Sequence, residues 1–347
     1  MHEDRHDAIL IVSFGGPEGP DEVMPFLRNV VRGRNVPEER LAEVAEHYHR
    51  FGGVSPHNRQ IRDLIKALKP ELAGAGIDLP VYWGNRNWDP MLRDTVRQMT
   101  EDGIRRAIGF VVSGYSSYSS CRQYRQNIAE AIEAAGPEAP RIEKIRVFFN
   151  HPDFIEAMRD RVRQALGALG GQASAAPLLF TAHSIPTAMA AGCDYTEQLT
   201  EASRLVAEPF EGHPWELVYQ SRSGPPQVPW LEPDVCDRLE QLHAETKPRS
   251  VVLVPIGFLS DHLEVLFDLD IEAAEVCQSL GMTMARASTV GTHPGFVRMI
   301  RKLIEERMNP GAPREAIGRR PARPDDCPEG CCPPGRPAGR PDVKGRP

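Results

Sequence analysis

The sequence predicts an α/β protein made of two consecutive β/α halves. Three observations predict it. Short apolar runs without strict alternation, such as AILIVSF at 8–14 and VVLVPIGF at 251–258, read as strands buried on both faces of parallel sheets. Longer amphipathic segments lie between these runs and read as helices. The length of 347 residues suits about two domains at roughly 100–200 residues each.

In chain order, strands are expected at 8–14, 80–84, 107–113, 178–182, 216–220, 251–258 and 282–287. Helices are expected at 21–31, 38–50, 59–73, 89–102, 127–135 and 153–169. A second set follows at 196–208, 234–244, 262–280 and 294–308. The dividing zone is placed near His151, giving units 1–150 and 151–310, with the Gly/Ala/Ser stretch 167–177 as a loop before the second sheet. From about Asn309 the composition turns to Pro, Gly and Arg, and residues 311–347 are expected to form a loose tail. From 314 to 347 the tail carries eight Lys+Arg against five Asp+Glu, with a cysteine island at 325–333.

Charge and composition exclude several classes. With 41 Lys+Arg against 48 Asp+Glu, the chain is a poor nucleic-acid binder, because such binding draws on cations that neutralise phosphates. No apolar run approaches the ~18–20 residues that a membrane span needs. The N-terminus carries charges of both signs and leads straight into an apolar strand, unlike a secretory signal. Seven cysteines are an odd number and argue against a closed disulfide framework. A cytoplasmic protein is expected, and a monomer.

Four constellations carry chemistry. His183, in the run TAHSIP, follows a buried strand, where ligands of open parallel sheets bind. It suits metal ligation or proton transfer, against the alternative of a helix-capping or core histidine. The run GFLSDHLE at 257–264 opens a helix on which Glu264, Asp268 and Glu272 recur at i, i+4 and i+8. Such a ladder inside an apolar helix suits a divalent cation or a proton path, against the alternative of a solvated acidic face. Glycine turns at 15–19, 52–53 and 224 permit close approach of a ligand. None matches G-x-G-x-x-G or a P-loop, so no nucleotide is expected. Arg32 and Arg34 suit carboxylates or phosphates, against ordinary surface charge. Last, the polar and aromatic segment 115–124 ends another strand and suits a flat ligand, against a capped polar loop.

These pieces, in their order, resemble the ferrochelatase family from Ile9 to about Met308. The matching runs are LIVSFGGP, EVMPFLRNVVRGR, HYHRFGGVSP, VYWGNRNW, SYSSCRQY, LLFTAHSIP, YQSRSGPPQVPWLEPDV and PIGFLSDHLEVLFDLDIEA. In detail the chain looks most like the coproporphyrin III ferrochelatases of actinobacteria. The resemblance implies two tandem Rossmann-like halves with a porphyrin cleft between them. It also implies insertion of Fe(II) into coproporphyrin III with release of two protons, in haem biosynthesis. His183 and Glu264 match the residues tied to the inserted Fe(II) and to removal of the pyrrole protons. Asp268 and Glu272 match the acidic line that continues from them. Ser55 and Tyr124 match substrate contacts, and Arg32 and Arg34 are expected partners for propionates. Some relatives place an axial Tyr in the turn after the first strand. Phe14 stands there in this sequence, so that ligand is not carried over.

The resemblance also gives the cysteines a reading. Some family members hold a [2Fe–2S] cluster with one mid-chain and three C-terminal cysteines, which here match Cys121, Cys327, Cys331 and Cys332. Zinc is the alternative metal. Cys193, Cys236 and Cys277 are read as ordinary structural residues. The expected partners are coproporphyrin III, Fe(II) and other enzymes of the haem pathway. Chelation of another tetrapyrrole or metal, and a non-catalytic haem or iron–sulfur sensor, are the alternative functions.

Overall fold

The structure is a computed structural model that describes residues 5–33, 36–224 and 227–335. The strands are β1 Ala8–Ser13, β2 Val81–Asn85, β3 Arg106–Val111, β4 Arg141–Lys144, β5 Leu178–His183, β6 Trp215–Gln220, β7 Ser250–Val254 and β8 Thr283–Arg286. The first six helices are α1 Val23–Val30, α2 Glu38–Arg50, α3 His57–Gly74, α4 Leu92–Glu101, α5 Gln123–Ala135 and α6 Pro152–Leu169. Six more follow: α7 Thr187–Ala190, α8 Tyr195–Ala207, α9 Val235–Thr246, α10 Leu263–Phe267, α11 Ala274–Ser279 and α12 Pro294–Met308. They frame two four-stranded sheets with the same plan, β2-β1-β3-β4 and β6-β5-β7-β8, and every strand pair is parallel.

The apolar runs explain the layers. In β1 all six residues are buried. Ile9 and Ile11 point into a core that also takes in Phe110, Phe148, Phe154, Phe180 and Phe296. Leu10 and Val12 point the other way, against Val96, Met99 and Ile128 on α4 and α5. Likewise Phe180 of β5 faces the shared core, while Leu179 faces Leu239, Val265 and Leu269. Helices α3, α6 and α12 thus lie in the core common to both sheets, and Phe110 stacks on Phe148 at 5.4 Å inside it. In this plan the order of strands reverses between β1 and β3, and again between β5 and β7. A ligand crevice belongs beyond the C-terminal ends at those points.

Several expectations need correction. Strand β4 was not expected, because RIEK is polar. It is an edge strand paired with β3 alone, and its buried Glu143 is neutralised by Arg106, Arg141 and Arg307. The run at 251–258 stops being a strand at Val254, because Pro255 has no N–H to offer a ladder. Helix α6 ends at Leu169, as its own expected span has it, so the loop expected from 167 begins only after that residue. The helix expected at 262–280 is interrupted by a π segment, Asp268–Ala273, between α10 and α11. A second π turn, Tyr118–Arg122, makes the SSCR run helical rather than loop.

The tail is not loose over the residues described. It has no helix or strand beyond Met308 up to 335, yet it is tied along its length. The fully buried Arg146 donates to the Glu315 carbonyl at 2.9 Å. Asn150 donates to the carbonyls of Ile317 and Arg320, at 3.2 and 2.7 Å. The Arg319 N–H donates to Glu201 at 2.6 Å. Its composition misled because hydrogen bonds and ion pairs, rather than apolar burial, hold it.

Candidate active site

His183 is the last residue of β5, and the chain turns away immediately at Ser184. Its Nδ1 lies 2.5 Å from the Ser184 carbonyl oxygen. A carbonyl only accepts, so Nδ1 carries a proton and Nε2 is the ring nitrogen that faces the site. Tyr195 fixes the same residue from behind by donating its hydroxyl to the His183 carbonyl at 3.0 Å. Glu264 is the second residue of α10, beyond the end of β7, and its carboxylate stands 3.7 Å from His183 Nε2. Both groups are partly open to solvent, at 35% and 50% side-chain exposure, so a substrate can reach them. An imidazole nitrogen facing a carboxylate can share one cation or pass one proton. His262, the residue before α10, lies close enough to feel both charges, and burial holds its pKa below the ordinary value.

Behind this pair the ladder continues. Asp268 is pushed up to about 7, first by burial, against the donors Ser221 and Gln220, and with Glu264 and Glu272 adding repulsion. Gln220 Nε2 donates to Asp268 Oδ2 at 3.1 Å, and the Ser221 hydroxyl donates to the same oxygen. Glu272 is also raised, by burial and by Asp234, while Arg50 opposes the shift. The three carboxyls are therefore in electrical contact despite the π segment. Cys236, read as an ordinary structural residue, feels the charges of both Asp268 and Glu272.

The first half supplies a different set. Phe14 follows β1 and packs edge-on against Phe26, with centroids 6.3 Å apart. Ser55 is buried against the turn after Phe14, where a Cβ added at Gly16 would meet its hydroxyl at 2.8 Å. Tyr124, on α5, is buried with the Arg86 guanidinium 4.6 Å above its ring. Arg86 also lies 5.8 Å from the Phe14 ring, between two residues singled out in the sequence. Arg32 is exposed on the turn after α1 and donates to Asn29 at 2.5 Å. Arg34 lies outside the described residues. The halves touch where α2 meets α10: His47 stacks on Phe267 at 3.8 Å, and Leu263 joins the cluster of Phe26, Leu27 and Tyr48.

The four matched cysteines lie near one another, brought from two distant segments, but do not form a clear cluster site. Cys121, in the first π turn, and Cys327 lie close enough that each chiefly sets the other's shift, the former raised and the latter lowered. Cys327 also feels Cys331, whose sulfur is 3.3 Å from that of Cys332. Adjacent side chains converge because Cys332 takes a positive φ of 54°, a conformation uncommon for a non-glycine residue. Arg122 donates to the Cys331 carbonyl at 3.0 Å, and Lys144 favours the thiolates of Cys121 and Cys327. Cys193, read as structural, lies near enough to feel Cys331.

Sequence reasoning missed Arg86, Gln220, Ser221 and His262 as parts of this site. Gln220 ends β6 and Ser221 follows it, and the same strand-end rule that picked out His183 would have found them.

Comparison with known proteins fits the geometry. The ferrochelatase family model matches residues 6–308. A ferrochelatase of Rhodopirellula baltica is 56% identical, covering 94% of this chain and 93% of its own. The coproporphyrin III ferrochelatase of Streptomyces coelicolor is 49% identical over 94% and 93%, and that of Nocardia farcinica 49% over 98% and 99%. Among solved structures, SirB from Bacillus subtilis with Fe3+ shares the fold, with a TM-score of 0.52 at 12% identity, covering 88% of this chain and 96% of SirB. With the paired sheets, the strand-end imidazole and carboxylate and this near full-length identity in agreement, the chain belongs to the ferrochelatase family.

Proposed function

We propose that this enzyme inserts Fe(II) into coproporphyrin III, giving the iron porphyrin and two protons. One observation carries the reading: His183 Nε2, aimed by the bond from Nδ1 to the Ser184 carbonyl, faces Glu264 at 3.7 Å. A porphyrin takes a metal only after losing two N–H protons, so a base must stand beside a metal donor. Imidazole and carboxylate both suit Fe(II). His183 and Glu264 receive metal and protons, and Asp268 and Glu272 lead charge away from the cleft. Ser55 and Tyr124 seat the macrocycle, and Arg32, Arg34 and Arg86 meet its propionates. Coproporphyrin III is the substrate named for the relatives from Streptomyces and Nocardia. The test is anaerobic incubation with Fe(II) and coproporphyrin III, followed by the metalloporphyrin spectrum. No insertion, or faster insertion into protoporphyrin IX or with Co(II) or Zn(II), overturns the assignment.

The reading extends to a [2Fe–2S] cluster held by Cys121, Cys327, Cys331 and Cys332. Its support is the convergence of four thiols beside Lys144 and Arg122. A bound cluster supplies a redox-active covalent tie between the π turn and the tail. Purified protein should be brown, and Cys332→Ser should bleach it. A colourless sample containing zinc favours the other metal. The protein is read as a cytoplasmic monomer, which sedimentation at 38.6 kDa tests for its assembly state.

A further inference from the structure

The two walls of the cleft are joined close to the reacting groups. His57 opens α3, and its ring is buried. Its Nδ1 shares a hydrogen bond of 3.0 Å with the Ser260 hydroxyl of the other half. Gln60, on the same turn of α3, adds a second bridge. Its Oε1 accepts from the Asp261 backbone N–H at 2.8 Å, and its Nε2 donates to Asp261 Oδ2 at 3.4 Å. From β8, Arg286 holds Asp261 Oδ1 at 3.1 Å. Residues 260 and 261 are therefore gripped from two sides. Two residues before His57 stands Ser55, and three after Asp261 stands Glu264.

His57 is a costly choice for an interior position. Its Nε2 has no partner among the described residues. Burial, with His262 adding, pushes its pKa down to about 3, so the ring is neutral. An apolar side chain would fill the space without an unmet polar atom. What the imidazole supplies and an apolar group does not is Nδ1 at the Ser260 hydroxyl.

We propose that His57 is a positioning residue, which through Ser260 fixes the turn at 257–262 and so the place from which Glu264 meets a substrate seated against Ser55. The proposal rests on the insertion reaction given above. The bridge spans the two halves, so a metal brought by one stays in register with a macrocycle held by the other. Small displacements matter here, since a misplacement of about 1 Å can cost on the order of a hundredfold in rate.

The test compares His57→Phe, which keeps the ring volume, with His57→Asn, which keeps an amide near the Nδ1 position, and with Ser260→Ala. Each is assayed for kcat and KM of Fe(II) insertion, for coproporphyrin III binding by fluorescence quenching, and for Tm. His57→Phe and Ser260→Ala should each lower kcat about tenfold, with porphyrin affinity within about twofold of wild type. Their double variant should be no worse than either alone, and His57→Asn should recover most of the loss. Additive losses, an Asn variant as poor as the Phe variant, or a fall in Tm with kcat per folded molecule unchanged would overturn it. A wild-type protein that inserts no iron fails at the functional reading itself and removes the positioning role with it. Wild-type turnover that none of the three variants alters rejects the positioning role alone.

Discussion

The two halves share one strand plan and carry opposite chemistry at its C-terminal edge. Beyond β1 and β3 stand an aromatic ring, glycine turns, serines and arginines. Beyond β5, β6 and β7 stand an imidazole, a carboxylate pair partner and the donors to a buried acid. The proposed function gives the first edge the holding of a flat anionic ligand and the second the movement of charge. In the proposed reading a repeated strand plan separates binding from reaction, because the two halves differ in the side chains they carry beyond their strand ends.

The sharpest way to break this comparison is His183→Ala. Metal insertion should fall about a thousandfold, with porphyrin affinity changed less than about threefold. Anaerobic single-turnover spectra and fluorescence titration read the two quantities separately, and equal losses in both would blur the division.

A second change addresses the holding edge. Gly53 has a φ of 73°, and an added Cβ would come within 2.4 Å of the Pro20 backbone. Gly53→Ala should therefore displace the turn that carries Ser55. Stability should drop by about 1–3 kcal/mol in denaturant titration, and KM for porphyrin should rise more than kcat falls.

Smaller in size, Asp268→Asn probes the reacting edge through pH. Burial raises Asp268 to about 7 from the usual 3.8, so the folded protein binds that proton more tightly than the unfolded chain. The resulting stability is complete below the ordinary value and is lost as pH rises through about 7. The variant lacks this loss. Its Tm should match wild type near pH 4 and exceed it by a few degrees at pH 8, at about 2–4 °C per kcal/mol. A variant less stable than wild type at pH 8 would mean that the carboxylate is held charged.

Smallest is Arg32→Ala. The side chain is exposed on a turn, so Tm should stay within a degree or so while KM for coproporphyrin rises about threefold. An unchanged KM would remove Arg32 from the holding edge.

Both edges were partly legible in the sequence. The continuous apolar runs of β1, β5 and β7 announce strands covered on both faces, and the residues after them are then natural candidates. Glu264, Asp268 and Glu272 were legible as a ladder because the helical spacing is simple. The π segment inside the ladder was not, since no local residue pattern marks an i→i+5 turn. Strand β4 escaped because Glu143 is satisfied not only by its neighbour Arg141 but by Arg106 and Arg307, both far away in sequence. The bond between His57 and Ser260 escaped for the same reason: its partners are 203 positions apart. Long-range polar pairing leaves no periodicity to read, whereas apolar burial does.

That separation in sequence has a meaning in time. Arg146 is fully buried, pairs with Glu306 at 2.7 Å and donates to the carbonyl of Glu315. A ribosome adds about 5–20 residues per second, so roughly 10–30 s pass between the synthesis of Arg146 and of Glu315. A chain cut short before Glu306 would leave the buried Arg146 cation without its carboxylate, so the last helix and the segment after it complete the first half as well as the second.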